Sequence, residues 1–173
     1  SGILKKPFVA VNHLEGHALS PSIEHNIKFP YLLLLISGGH TQYLIVNEVD
    51  RYNQIGTTID DALGEAFDKT AKMLNLGYPG GPNVERFAAL GDKNSFKLPL
   101  PIINRAGCNL SFAGLKTAVL RETKKNKLSP KLKNDLAASF QNTVIKILER
   151  KTEMAMQKFL NISGKKNKSF VIA

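Results

Sequence analysis

His13-Leu14-Glu15-Gly16-His17 sets two imidazoles four positions apart. On one turn of helix such residues face the same way, so His13 and His17 can share a metal ion or simply form a polar helix start. The zinc-protease pattern needs a glutamate directly after the first histidine as general base. Glu15 lies two after His13, on a different face, so that match fails at its catalytic residue. Two histidines are also one ligand short of a stable site. A second constellation is Ser37-Gly38-Gly39-His40-Thr41, between two apolar runs. Its glycines let backbone N–H groups approach an anion, and Ser37 and Thr41 add hydroxyls. A plain hairpin turn needs only the two glycines, and the Gly-Lys-Ser/Thr ending of a Walker loop is absent.

Asp61, Glu65 and Asp68 follow i, i+4, i+7 spacing, so one helix face can carry three carboxylates. Such a row repels itself unless paired or put to use, and Lys69 and Lys72 lie close enough to neutralise it. Asp68, beside Phe67, is suited to a ribose hydroxyl. Pro79-Gly80-Gly81-Pro82 is a rigid loop with bare backbone, fit for a ligand or for a tight interhelix turn. In Ser111-Phe-Ala-Gly-Leu-Lys116-Thr117 a strand-to-helix turn presents a lysine and hydroxyls. His25, His40 and Cys108 have no independent case for catalysis.

The elements that must hold these residues follow from periodicity. Residues 8–12 read as a strand end, and a helix starts near Pro21 and runs to about residue 25. Residues 31–37 and 41–46 read as strands around the Gly-Gly turn, and 51–57 as a third. Residues 60–74 read as a helix with Asp60 as N-cap and Gly77 as stop. A helix is predicted from residue 83 to 90, an extended stretch over 96–103, a short strand over 110–112 and a helix over 114–124. Residues 131–159 read as one long helix or a pair, 161–168 as a polar turn and 169–173 as the start of a strand. Strands first and helices afterwards predict an α/β fold with its sheet partly missing.

The chain has 173 residues and 19.0 kDa, enough for one domain or two small lobes. With 43% apolar and 22% charged residues, a disordered or fibrous chain is excluded. No apolar run approaches membrane-span length. The single Cys108 excludes an internal disulfide framework and a Cys-rich zinc module, and fits a reducing cytosol. The net charge of +10 is uneven: residues 1–120 carry +1 and residues 121–173 carry +9. The excess clusters at Lys124, Lys125, Lys127, Lys131, Lys133 and at Lys165, Lys166, Lys168. It is either a polyanion-attracting face or a solvated helix face. Without an aromatic among them, Lys124–Lys127 suit phosphate contact at most. The start without Met and the Ser-Phe-Val-Ile-Ala ending predict a fragment of a longer protein.

Taken together, His-x-Glu-Gly-His at 13–17, Ser-Gly-Gly-His-Thr-Gln at 37–42, Asp-Asp-Ala-x-Gly-Glu-Ala-Phe-Asp-Lys-Thr-Ala at 60–71, Tyr-Pro-Gly-Gly-Pro at 78–82 and Ser-Phe-x-Gly-Leu-Lys-Thr at 111–117 resemble the TsaD/Gcp family over residues 8–173. That family makes threonylcarbamoyladenosine in tRNA and bears the older name O-sialoglycoprotein endopeptidase. The resemblance implies an actin-like ATPase (ASKHA, Hsp70/sugar-kinase) fold of two lobes, with a mixed sheet and flanking helices. Residues 1–173 would be its central portion. The N-terminal phosphate-loop strands, the C-terminal nucleotide loop and an Asp that is the third metal ligand would lie outside the chain.

The implied reaction moves a threonylcarbamoyl group from threonylcarbamoyl-AMP to N6 of the adenosine beside the anticodon in tRNAs reading ANN codons. In that picture His13 and His17 ligate one divalent metal, Fe2+ or alternatively Zn2+. Leu35, Ile36, Ser37, Gly38 and Gly39 line the substrate phosphate loop. Asp68 and Gly81 bind the nucleotide part, joined by Glu85, with threonylcarbamoyl-AMP or ATP as ligand. The resemblance assigns no catalytic side chain here. The implied partners are tRNA and TsaB- and TsaE-type proteins, in the cytoplasm and away from membranes, with the fragment inactive alone. The alternatives are a metal-dependent glycoprotein endopeptidase and a non-catalytic paralogue or remnant.

Overall fold

The six residues of β1 (Tyr31–Ile36) carry no charge because both faces of the strand are covered. Leu32 and Leu34 enter one core with Tyr43 and Ile45, whereas Tyr31, Leu33 and Leu35 enter a second with Ala18, Leu44 and Val46. The computed structural model describes residues 7–164 and 169–173. Within them β1 pairs antiparallel with β2 (Thr41–Glu48), and β2 antiparallel with β3 (Arg51–Thr57). A last strand, β4 (Phe170–Ile172), runs parallel to β1 on its other edge. The order β3-β2-β1-β4 makes a mixed sheet flanked by helices, the α/β architecture expected from the sequence.

One face is covered by α1 (His13–Leu19), which is followed by the single turn α2 (Pro21–Glu24). Asn12 caps α1 by accepting from the Leu14 N–H, and the Tyr31 hydroxyl donates to the Ala18 carbonyl at 2.7 Å. Residues 8–12 form no strand, and Phe8, Val9 and Val11 are exposed. The helix foreseen near Pro21 is α2, a separate single turn that follows α1.

The other face carries α3 (Leu63–Met73), α4 (Gly80–Ala88), α5 (Ala113–Lys125) and α6 (Pro130–Ser163). Residues 131–159 belong to one helix of 34 residues, not a pair. Ser129 caps it on the Leu132 N–H, Pro130 occupies its first turn, and Gly164 ends it in the left-handed region at φ 69°. Leu136, Phe140, Val144 and Ile147 along it are buried in the core.

Two helix starts differ from the sequence reading. α3 begins at Leu63, where the buried Thr41 hydroxyl accepts from the Leu63 N–H at 2.8 Å. Asp60 is therefore not its cap. α4 begins at Gly80 instead of residue 83, because the Asp68 carboxylate takes the Gly80 N–H at 2.9 Å. Residues 110–112 contribute a single parallel bridge, Thr58 to Leu110, and 96–103 stay irregular, with turns over 101–104. The second half of the polar turn at 161–168, with Lys165, Lys166 and Lys168, lies outside the described residues; its first residues, 161–163, close α6.

Candidate functional site

On α1 the His13 and His17 Nε2 atoms approach to 3.2 Å, with ring centroids 4.6 Å apart. Two nitrogens bound at about 2.1 Å to one tetrahedral metal sit roughly 3.4 Å apart, so the pair has the spacing of shared ligands. Among the described residues no third His, Cys, Asp or Glu joins them to complete a metal-binding group. Glu15 is turned elsewhere: its Oε1 accepts from the Tyr52 hydroxyl at 2.8 Å, 37 positions along the chain. Burial first, then this bond to Glu15, pushes the Tyr52 hydroxyl up to about 12. It therefore remains the donor at neutral pH. A glutamate occupied in this way gives no support to the endopeptidase alternative.

The β1–β2 turn is closed by its own atoms. Ser37 N–H donates to the His40 carbonyl at 2.8 Å, and His40 N–H to Ser37 Oγ at 3.0 Å. Gly38 and Gly39 are exposed, with open space where side chains would stand. Gly64, at the start of α3, presses on this turn; a Cβ there would lie 3.0 Å from Gly38 Cα and from the Ser37 carbonyl oxygen.

Beside the turn, Ile36, Asp68, Tyr78, Gly81 and Glu85 line a cleft of about 670 Å³, walled on its far side by Ile145 and Leu148 of α6. The Asp68–Gly80 bond needs a glycine, since a Cβ at Gly80 would stand 2.5 Å from Asp68 Cα. Gly81 faces open space. The structure thus gathers Ile36, Asp68, Gly81 and Glu85 in one cleft. Leu35 is buried on the opposite sheet face, so its side chain points into the α1 layer. His13 and His17 stand on that same α1 layer, across the sheet from the cleft.

The expected row of three carboxylates divides. Lys69 Nζ is 2.7 Å from both Asp61 and Glu65, while Asp68 turns to Gly80. Asp61 and then Glu65 raise the Lys69 ammonium above its ordinary value. Asp60 caps α5 instead: Oδ1 accepts from the Phe112 and Ala113 N–H groups at 2.8 and 3.2 Å. The motifs at 60–71 and 111–117 are therefore halves of one construction.

Sequence reasoning missed two polar anchors. Tyr52 appeared only as a strand residue. Lys151 is 1% exposed and donates to the Arg105 and Gly107 carbonyls at 2.8 and 3.1 Å. Nothing local distinguishes it from the other lysines of α6. In the basic region Lys125, Lys131 and Lys133 already hold Glu122, Asp135 and the Asn75 carbonyl, while Lys124 and Lys127 are exposed.

Residues 2–173 match the family model for TsaD, described as tRNA N6-adenosine threonylcarbamoyltransferase. A protein of that name from Pelagibacter ubique is 56% identical over 170 residues, covering 98% of this chain and 47% of the relative. Proteins of the same name from Rickettsia massiliae and Rickettsia conorii are 51% and 52% identical, covering 99% of this chain and 50% of each relative. The chain spans about half the length of these curated relatives. A match along nearly all of its residues means that the chain belongs to the TsaD family.

Proposed function

We propose that the protein to which these residues belong transfers threonylcarbamoyl from threonylcarbamoyl-AMP to N6 of the adenosine beside the anticodon in tRNAs reading ANN codons. These residues would form the central portion of a two-lobed actin-like ATPase fold, for which the mixed sheet and flanking helices are suitable without being specific. The observation that carries the reading is the gathering of Ile36, Asp68, Gly81 and Glu85 in one cleft beside the open Gly38-Gly39 turn. The names of the relatives point the same way.

In this reading the bare Gly38 and Gly39 backbone receives the phosphate of the substrate or of ATP. Asp68 and Glu85 accept from ribose hydroxyls, and Gly81 lets the nucleotide lie against backbone. The adenosine amine attacks the carbamoyl carbon, the bond to the phosphate oxygen breaks, AMP leaves and the amine loses a proton. His13 and His17 would hold one divalent metal, Fe2+ or Zn2+, which when bound polarises or anchors the threonylcarbamoyl group. The spacing of the two nitrogens and their donor chemistry suit that metal. Exposed Lys124 and Lys127 would contact tRNA phosphates. TsaB- and TsaE-type partners and a cytoplasmic location belong to the same reading. No described helix is long and apolar enough to cross a membrane.

The test is calorimetric titration of threonylcarbamoyl-AMP into the protein and into Asp68→Ala. Binding by the wild type that weakens at least tenfold in the variant supports the reading. Equal binding, or none by either protein, overturns it.

A further inference from the structure

We propose that Glu15 and Tyr52 are a positioning pair, in which a tyrosine on β3 fixes the rotation of α1 and so aims His13 and His17 at their shared cation. The inference rests on the metal reading of the two histidines. α1 has only seven residues, too few for a helix to persist without tertiary support. Its C-terminal end is held by buried Ala18 and by the Tyr31 hydroxyl on the Ala18 carbonyl.

In the N-terminal half, Leu14 is the apolar residue that packs on the core. Between this half and the sheet lies a cavity of about 230 Å³, lined by Asn12, Glu15, Gln42, Tyr52 and Gln54 among others. The 2.8 Å bond from the Tyr52 hydroxyl to Glu15 spans the edge of that cavity. At about 100° per residue, Glu15 lies roughly 180° around the axis from the midpoint of the two histidines. Holding Glu15 to the sheet therefore turns the histidines outward. Loss of the bond lets the helix roll over its loosely filled floor, and the two nitrogens no longer share a fixed direction.

The experiment compares wild type, Tyr52→Phe, Glu15→Ala and Glu15→Gln. Co2+ binding is followed by visible absorption, and amide hydrogen exchange of residues 13–19 is measured without metal. Tyr52→Phe and Glu15→Ala are expected to weaken Co2+ about tenfold, the low end for residues that orient metal ligands. Both should speed exchange in 13–19 and leave that of β1 and β2 unchanged. Glu15→Gln keeps an acceptor oxygen and should restore most of the affinity. Wild-type Co2+ affinity and exchange in both Tyr52→Phe and Glu15→Ala overturn the positioning role. A wild type that binds no Co2+ overturns the metal reading instead, a result separate from variants that bind as well as wild type.

Discussion

The carboxylate of Asp60 accepts from the Ser111 hydroxyl at 2.5 Å, joining residues 51 positions apart. The same carboxylate takes the first N–H groups of α5, so one side chain ties the segment before α3 to the start of another helix. Asp60→Ala should cost about 1–2 kcal/mol, the upper range for a lost cap. Urea unfolding measures this, and Ser111→Ala added to Asp60→Ala should cost little more, because the two act through one network.

Gly80 and Gly81 should respond oppositely to a methyl group. Gly80→Ala drives a Cβ into the Asp68 backbone and should destabilise the fold by about 1–3 kcal/mol. Gly81→Ala meets open space and should melt within a few degrees of wild type. If the cleft binds the nucleotide, Gly81→Ala should nevertheless lose affinity for AMP, as measured by calorimetry.

Metal and AMP should be separable, because AMP lacks the threonylcarbamoyl group that the metal would hold, and α1 and the cleft lie on opposite sheet faces. His13→Ala/His17→Ala is expected to lose metal, assayed by elemental analysis, while keeping AMP affinity. Asp68→Ala is expected to show the reverse. Loss of both properties in either variant would mean the two faces form one inseparable unit.

Burial lowers the Lys151 ammonium below its ordinary 10.5. The unfolded chain then binds this proton more readily, so the lysine's contribution to stability rises with pH from the folded value towards 10.5. The buried Cys108 thiol is pushed up and acts in the opposite sense. The difference between wild type and Lys151→Met isolates the lysine. Lys151→Met should cost about 1–3 kcal/mol at neutral pH, since two loop carbonyls lose their donor. Denaturation curves at several alkaline pH values should show that deficit growing.

Asp135 behaves conversely. The Asp92 N–H at 2.9 Å, and then Lys131, hold its carboxyl below the ordinary 3.8. Its stabilisation is complete above that value and is lost as pH falls through the lower folded one. Asp135→Asn should flatten the acid limb of the stability profile.

The sequence made the parts of the fold governed by local pattern legible. The Tyr31–Ile36 run, the Gly-Gly turn and the Ser129-Pro130 helix start each carry their signal within a few residues. What stayed hidden depends on partners far along the chain. Asp60 has the right side chain for an N-cap, but sequence does not say that the helix it caps starts at residue 113. Gly80-Gly81-Pro82 reads as loop because its helical start relies on Asp68. For the candidate site, residue types were legible but grouping was not. Strand alternation sends Leu35 away from the cleft that Ile36 lines, and Glu15 reveals its role only once Tyr52 is beside it.

The parallel pairing of β4 with β1 also bears on how the molecule is made. Leu32 meets Phe170, so this contact closes across almost the whole chain, whereas β1, β2 and β3 form a local meander. During synthesis the meander can assemble as soon as residue 57 has left the ribosome. Among the described residues, the other edge of β1 takes its strand partner from residues 170–172, far along the chain. Non-local strand pairs form slowly, and open apolar edges recruit wrong partners. Of the sheet's strand pairs, β1 with β4 spans the longest stretch of chain and is the pair expected to close last.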